Sequence, residues 1–492
     1  MRAVRLALAP AVLAALSLGT GAQELELRHE LGQRLVRTER AYAAADADAR
    51  EAALEPFLRA VGKFFEQDAR GAARGLDQAR RALLPAHVRA GLPPWTDALA
   101  LLPEARIVEG SGPLRVYVER LYGEGAVDPA ALCVGLRFGD GKTARFESVG
   151  REFVATLPID ADGRAWDDEL VLSLCEDGKD AVELVDVAIS VVPGFEERLD
   201  AAWSAARLAS AALDSRVDVR VDSALAVLED LDELYAGTVF EVDVPAVQLL
   251  RQVEAWTAPF RETEFPWPGP RRVSAEQWLA IRQTNGALVR GRYLDAAGEG
   301  EGPDPPLLVV LHGAGASEHM VFDAFGAGAY VEAARRRGWS FFAPRIELGG
   351  APVDVNDLVD RLAETYRFDA ERVALVGHSM GAGLGIATVE RAPDRWRALA
   401  ALGGGRAAKD AADLDGVDVL AAGGERDFGL VGALSLTDSL ATRKQQRSGR
   451  FTRAEVVAGA EHLTVVQAAL PLVLELLDNA LGGPDEGGSS GR

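Results

Sequence analysis

The sequence is poor in the residues that bind metals or cross-link chains. Its 492 residues include two cysteines, three methionines and six histidines. The two cysteines, Cys133 and Cys175, cannot form the kind of cluster that holds a structural zinc ion. Both lie in strand-like runs of one region, so they fit either a single disulfide or two buried thiols.

Basic charge is also scarce. Lysine and arginine number 53 against 75 aspartates and glutamates, which gives a formal net charge of −22 at neutral pH. Nucleic acids and anionic lipid surfaces both require a basic face on the protein that binds them. We therefore expect no nucleic-acid partner.

Long apolar runs are absent after the N-terminus. Arg2 and Arg5 precede the short apolar run 6–18, and the small residues Thr20-Gly21-Ala22 offer a cleavage site. This pattern predicts a signal peptide over residues 1–22, with export to the periplasm or the extracellular space. No cysteine lies near the cleavage site, which argues against a lipoprotein. Because no later run approaches about 18 apolar residues, we expect a soluble mature protein without a membrane partner.

The N-terminal half changes its hydrophobic period twice. Apolar residues such as Leu54, Phe57 and Val61 recur at helical spacing, whereas Leu114, Val116 and Val118 alternate with polar neighbours. Alanine- and leucine-rich helical patterning then returns and ends in a proline-rich segment. The predicted units are a helical region (23–104), a β-sandwich-like domain (105–193), a second helical region (194–261) and a linker (262–271).

The C-terminal half alternates strands and helices. A hairpin signal at Asn285-Gly286 is followed by buried apolar runs such as Leu307–Leu311 and 373–376, with helical stretches between them. This alternation predicts an α/β fold, a mainly parallel sheet flanked by helices, over residues 272–483. The polar residues 484–492 are predicted to form a disordered tail.

One pentapeptide in this half suggests chemistry. Gly377-His378-Ser379-Met380-Gly381 directly follows the apolar run 373–376. The G-x-S-x-G pattern after a strand is typical of a nucleophile elbow, in which a sharp turn exposes a serine hydroxyl. The pattern alone is weak in a chain with 51 glycines, so its context has to support the assignment.

The context supplies a base and an acid. A serine hydroxyl needs a neighbouring base that is oriented by a carboxylate, and in this arrangement the chain order is serine, acid, histidine. His462 is the only histidine after the pentapeptide. The acid is expected after strand 419–422, where Asp427 has the favoured offset and Glu425 is the alternative.

Two backbone amides are expected to stabilise the oxyanion. One is the amide of Met380, the residue after the predicted nucleophile. The second is expected in the glycine-rich loop after Leu307–Leu311, with Ala314 favoured and Gly313 next.

These motifs together resemble the α/β-hydrolase superfamily. Among its members, the sequence is most similar to compact secreted esterases of the polyhydroxybutyrate depolymerase, feruloyl esterase and dienelactone hydrolase type. The resemblance covers residues 272–483 and implies a serine esterase that needs no cofactor. Only a short stretch separates Leu402 from Val417, so no large lid is expected there. Ser317 is a candidate for shaping the acyl pocket. His319 and Arg345 are candidates for contacts with a polar or anionic substrate group, although a structural or solvated role is the favoured interpretation.

The sequence thus predicts an exported serine hydrolase that cleaves a small or polymeric carboxylic ester. A serine peptidase of the prolyl oligopeptidase type is the first alternative, but the long repeat propeller of that group is missing here. A binding or scaffold protein with a silent hydrolase fold is the second alternative. The partner of the N-terminal half is not specified by the sequence.

Overall fold

A computed structural model of the protein describes most of the chain. The described residues are 22–124, 127–139, 142–149, 152–175, 181–212, 218–258, 276–297, 302–347, 349–410, 414, 416–444 and 452–482. The predicted signal peptide, apart from Ala22, lies outside these residues, as do the predicted linker 262–271 and the predicted tail 484–492. Within the described ranges, no helix combines the length and the apolar composition needed to cross a membrane.

The chain begins with an α-helical unit, which we call the helical cap (residues 22–91). Its helices are α1 (Ala22–Ala44), α2 (Ala47–Phe65), α3 (Ala69–Leu83) and α4 (Ala86–Gly91). Asp46 and Asp68 accept hydrogen bonds from the first-turn amides of α2 and α3 and so fix where these helices begin. The apolar residues at helical spacing on α2, Leu54, Phe57 and Val61, are buried.

A two-sheet β unit follows the cap. One sheet has the order β1-β3-β7-β6 and the other β2-β9-β8-β4-β5. The strands are β1 (Leu99–Pro103), β2 (Ile107–Val108), β3 (Gly112–Arg120), β4 (Leu132–Leu136), β5 (Thr143–Arg145), β6 (Glu147–Val149), β7 (Glu152–Ile159), β8 (Trp166–Leu174) and β9 (Val182–Val191). The first strand begins before the predicted boundary at residue 105. It belongs to the β unit because it pairs with β3. A disulfide joins Cys133 to Cys175.

Three helices connect this unit to the C-terminal half. They are α5 (Phe195–Ala212), α6 (Val219–Tyr235) and α7 (Ala246–Thr257). Helix α6 packs on the first strand of the C-terminal sheet, where the hydroxyl of Ser223 accepts a hydrogen bond from the amide of Ala280.

The C-terminal half has the predicted α/β fold. Its eight-stranded sheet has the order β10-β11-β13-β12-β14-β15-β16-β17, antiparallel up to the β11–β13 pair and parallel beyond it. The strands are β10 (Glu276–Arg282), β11 (Leu288–Leu294), β12 (Leu307–Leu311), β13 (Ser340–Pro344), β14 (Val373–His378), β15 (Trp396–Leu402), β16 (Asp418–Gly424) and β17 (Thr452–Val457). The helices are α8 (Glu318–Asp323), α9 (Ala329–Arg337), α10 (Val355–Ala363), α11 (Met380–Arg391), α12 (Leu430–Lys444), α13 (Val465–Ala468) and α14 (Leu470–Leu481). This strand order, with α11 starting directly after β14, is the α/β-hydrolase layout.

Both faces of the parallel strands are covered by helices. Along β12, Leu307, Val309 and Leu311 pack into one apolar cluster, whereas Leu308 and Val310 pack into another on the opposite face. A strand buried on both faces reads as a continuous apolar run in the sequence. For this reason the central strands could be located from composition alone.

The helical cap docks on the edge of this sheet where the parallel strands end. A carboxylate oxygen of Glu39 on α1 accepts a hydrogen bond from the amide of Ala327, at 3.1 Å. Gln467 on α13 donates to the carbonyl of Glu39 at 3.4 Å. On α2, Glu55 forms an ion pair of 2.9 Å with Arg426, in the loop after β16.

The Glu39 contact makes the stability of the fold sensitive to pH. Burial raises the pKa of Glu39 to about 8, against the hydrogen bonds from Ala327 and Gly326, which lower it. Its folded pKa therefore lies above its ordinary value of 4.5. The stability that Glu39 contributes is complete below that ordinary value, and it is lost as the pH rises towards about 8.

We expect Glu39→Gln to flatten this dependence, because glutamine keeps the acceptor and cannot ionise. Thermal unfolding measured from about pH 5 to about pH 9 should show a smaller fall in Tm for the variant than for the unmodified protein. Glu197→Gln, at an exposed position on α5, serves as the matched control and should leave the fall unchanged. Parallel Tm profiles for Glu39→Gln and the unmodified protein would contradict the assignment.

Candidate active site

A strained turn between β14 and α11 presents Ser379. Its backbone has φ 54° and ψ −113°, a conformation that residues other than glycine rarely adopt. The two glycines that flank the turn are required by close approach. A Cβ on Gly377 would lie 2.3 Å from the carbonyl oxygen of Gly381, and one on Gly381 would lie 2.3 Å from that of Leu311. The pentapeptide therefore has the strained strand-to-helix turn that a nucleophile elbow requires.

The structure brings Ser379, His462 and Asp427 into one hydrogen-bonded row. Nε2 of His462 lies 3.0 Å from Oγ of Ser379, and Nδ1 of His462 lies 2.8 Å from Oδ1 of Asp427. Since the carboxylate can only accept, Nδ1 carries the proton and Nε2 is free to accept the serine proton. The row thus has the geometry of a nucleophile, a base and an orienting acid.

The environment of Asp427 favours its charged form. Its Oδ1 also accepts a hydrogen bond of 2.7 Å from the amide of Gly429. Burial alone would raise the pKa of Asp427, but the hydrogen bond from His462 and the electrostatic interaction with its ring hold that pKa below its ordinary value. Its other oxygen, Oδ2, is buried and has no hydrogen-bond partner among the described residues.

Glu425, the alternative acid, occupies a different place. Its carboxylate accepts a hydrogen bond of 3.3 Å from the amide of Gly459 and is exposed. The neighbouring Arg426 forms ion pairs with Glu55 and Glu51 of the helical cap. Of the two acids, the structure places Asp427 at His462.

The predicted oxyanion loop follows β12. Nδ1 of His312 lies 2.8 Å from the carbonyl oxygen of Gly313, and Nε2 of His312 accepts the amide of Ile346 at 2.9 Å. Burial lowers the pKa of His312 to about 4, so the neutral ring donates through Nδ1. In a trans peptide the C=O and the following N–H point in opposite directions. His312 therefore turns the amide of Ala314 away from itself.

Neither expected donor amide, that of Ala314 or that of Met380, is used in a backbone hydrogen bond of the described residues. Gly313 and Ala314 line the same cavity as Ser379. Amides at the start of a helix, like that of Met380, have no partner within the helix and can receive an anionic oxygen.

His378 has a role that the sequence did not reveal. Its ring is buried against His462 and Phe325. Burial, followed by the neighbouring His462, lowers the pKa of His378 to about 3. The neutral ring donates from Nε2 to the carbonyl oxygen of His462 at 2.8 Å. His378 therefore holds the loop that carries the candidate base, although its position within the pentapeptide is variable in the pattern.

The structure does not bring Ser317, His319 and Arg345 to the cavity. Ser317 caps α8 by accepting the amide of His319. The ring of His319 packs 4.1 Å from that of Trp278, and burial lowers its pKa to about 3. Arg345 forms an ion pair of 2.7 Å with the buried Glu318. In the structure, the contacts described for these three residues are with neighbouring groups of the protein.

A cavity of ≈ 130 Å³ opens beside Ser379. The part of its wall that belongs to the C-terminal half includes Ala314, Met320, Phe325 and His462. The opposite wall belongs to the helical cap and is formed mainly by Leu31, Leu35, Ala60, Val61, Phe64 and Leu76. The cover over the serine therefore comes from the N-terminal half. The sequence predicts no large lid in the short stretch between β15 and β16, and no described residue of that stretch lines the cavity.

No group of three or more histidine, cysteine, aspartate or glutamate residues is arranged to hold a metal ion within the described ranges. The cavity instead combines one candidate nucleophile with apolar walls. Such a site can bind an uncharged group next to a reactive hydroxyl.

Comparisons with known proteins give distant structural neighbours only. No family model and no curated protein matches the sequence. A feruloyl esterase module from Clostridium thermocellum is 14% identical with a TM-score of 0.36, covering 46% of this chain and 100% of its own. An S-formylglutathione hydrolase from Staphylococcus aureus is 13% identical with a TM-score of 0.34, covering 42% of this chain and 98% of its own. A thermostable esterase is 12% identical with a TM-score of 0.38, covering 78% and 99%.

Proposed function

We propose that this protein is a serine hydrolase that cleaves carboxylic esters. The observation that supports it best is the continuous row from Ser379 Oγ through His462 to Asp427, with contacts of 3.0 and 2.8 Å. A serine hydroxyl is a poor nucleophile at neutral pH, and this row supplies the base and the orienting carboxylate that activate it. The strained elbow presents the hydroxyl at the cavity.

The first half-reaction forms an acyl-enzyme. Oγ of Ser379 attacks the ester carbonyl while Nε2 of His462 takes the hydroxyl proton, and Asp427 stabilises the resulting imidazolium. The oxygen of the tetrahedral intermediate is held by the amides of Ala314 and Met380, with that of Gly313 as the neighbouring candidate. When the C–O bond breaks, His462 donates its proton to the leaving alcohol.

The second half-reaction releases the acid. Water attacks the acyl carbon, His462 takes its proton, and the same two amides stabilise the second intermediate. Collapse returns the proton to Oγ of Ser379 and frees the carboxylic acid. All steps are acid–base and acyl-transfer chemistry that the side chains and amides of this site can perform, and the proposal includes no cofactor.

The proposal also includes export. The basic and apolar pattern of the first residues has the form of a signal peptide. The disulfide between Cys133 and Cys175 supports this part of the proposal, because disulfides persist mainly in oxidising compartments. A small or polymeric ester outside the cytoplasm is then the expected substrate.

One comparison of substrates separates the proposed activity from its alternatives. Purified protein is assayed with short-chain p-nitrophenyl esters and with aminoacyl p-nitroanilides, and it is treated with a fluorophosphonate followed by peptide mapping. We expect ester turnover and labelling at Ser379. Turnover of the anilides alone would instead identify a peptidase of the prolyl oligopeptidase type. Inertness to all three reagents would leave the binding or scaffold protein as the better account.

A further inference from the structure

The cavity beside Ser379 is lined on one side by residues of the helical cap. Its aliphatic cap residues include Leu31 and Leu35 of α1, Ala60 and Val61 of α2, and Leu76 of α3. We propose that the helical cap is the binding site for an apolar group of the substrate and that its side chains set the length of chain accepted. This inference rests on the proposed esterase activity and adds the substrate class to it.

The wall has the chemistry of an apolar binding site. The five cap residues named above are aliphatic, and two of them, Leu76 and Ala60, are buried. Arg28 and Glu241, which also line the cavity, pair with each other at 3.1 Å. Within the described part of the lining, their charges are thus already matched. A hydrocarbon chain gains about fourfold in affinity for each methylene that it buries in such a place.

Close contacts at two glycines fix how the cap helices pack around the cavity. A Cβ on Gly32 of α1 would lie 2.0 Å from the carbonyl oxygen of Glu241, in the segment before α7. A Cβ on Gly75 of α3 would lie 2.8 Å from Ala60 of α2. Protein interiors are otherwise packed at the density of organic crystals. A cavity bounded by such close contacts and ending at the reactive serine therefore fits a ligand pocket.

Exposed aromatic rings beside the cavity support the same assignment. Phe64 and Phe65 line the cavity, and Phe428 lies against His462. These three residues form what we call the aromatic rim, and their exposed fractions are 37%, 39% and 63%. The ring of Phe428 stacks on His462 with centroids 4.0 Å apart, and Phe65 packs edge-on against Phe428 at 5.7 Å. Exposed apolar side chains gathered at one place mark a binding surface. Here the surface leads an uncharged substrate to the catalytic row.

Chain-length profiles test the proposal. We would measure kcat/KM with p-nitrophenyl acetate, butyrate, hexanoate and octanoate. Val61→Phe shortens the cavity, so the ratio of hexanoate to acetate kcat/KM should fall by about tenfold or more. Leu35→Ala lengthens the cavity and should shift the optimum towards octanoate.

Two matched controls separate pocket shape from folding. Val88→Phe lies on α4 and Leu54→Ala is buried in α2, and neither residue lines the cavity. Both should leave the profile unchanged even where they lower Tm. An equal loss for all esters in Val61→Phe, or an unchanged optimum in both cavity variants, would overturn the proposal.

A binding measurement keeps the test independent of turnover. Calorimetric titration of Ser379→Ala with p-nitrophenyl acetate and hexanoate should give a Kd at least about tenfold lower for hexanoate. Equal affinities would contradict the apolar site. Chain-length-dependent binding to a protein whose unmodified form turns over no ester would instead retain the apolar site and reject the proposed activity.

Discussion

Ser379→Ala is expected to lower kcat for p-nitrophenyl butyrate by about 10⁴-fold or more, to the level left by binding and oxyanion stabilisation alone. The reason is that the hydroxyl at the elbow is the atom that forms the acyl-enzyme. His462, 3.0 Å away, has no other serine to activate in the row. Activity is measured in steady state on purified protein, together with loss of fluorophosphonate labelling.

Ser435→Ala is the matched control for this variant. Its hydroxyl donates to the carbonyl of Gly432 at 2.7 Å and does not line the cavity. We expect its kcat and its labelling to equal those of the unmodified protein. Ester turnover that survives in Ser379→Ala but not in Ser435→Ala would reverse the assignment of the nucleophile.

Asp427→Asn is expected to produce the second largest effect, a loss of about 10²- to 10⁴-fold in kcat. Asparagine removes the negative charge that stabilises the imidazolium and offers one acceptor oxygen in place of two. In the carboxylate, Oδ1 accepts from both Nδ1 of His462 and the amide of Gly429, so asparagine keeps both bonds only when its single oxygen takes the place of Oδ1. Any turn of the amide that presents its NH₂ group to His462 favours the tautomer with the proton on Nε2, which cannot accept from Ser379.

Glu425→Gln provides a stringent comparison, because Glu425 was the alternative acid two residues away. Its carboxylate contacts the amide of Gly459 and not His462, so we expect kcat to change by less than about threefold. A larger loss in Glu425→Gln than in Asp427→Asn would transfer the role of the acid to Glu425. Fluorescence-monitored unfolding of both variants shows whether either change is one of stability.

The parts of the site that could be predicted are those carried by local pattern. Strand Leu307–Leu311 and helix Met380–Arg391 lie where their apolar runs and flanking glycines placed them. The row from Ser379 to Asp427 could be proposed because parallel strands end at one edge of a sheet, so loops far apart in sequence meet there. His462 needed no choice, since no other histidine follows the elbow.

The cover over the site could not be predicted, because no local pattern encodes it. The apolar spacing of α2 showed a buried face but not its partner. The ring of Phe64 packs so close to Gly315 that a Cβ there would lie 2.4 Å from it, a contact between the helical cap and the loop after β12. Likewise, Leu99–Pro103 is recognised as a strand only from its pairing with β3. Only the three-dimensional structure reveals such pairings.

The separate origin of the two walls of the cavity has a consequence for how this protein can diversify. The reacting groups are encoded after residue 310, whereas the aliphatic wall is encoded before residue 80. Variation in the early codons can change which molecules are accepted while the turn at Ser379 and its strain remain untouched. Under the proposed function, substitutions in the cap can therefore change substrate selectivity without changing the reacting groups.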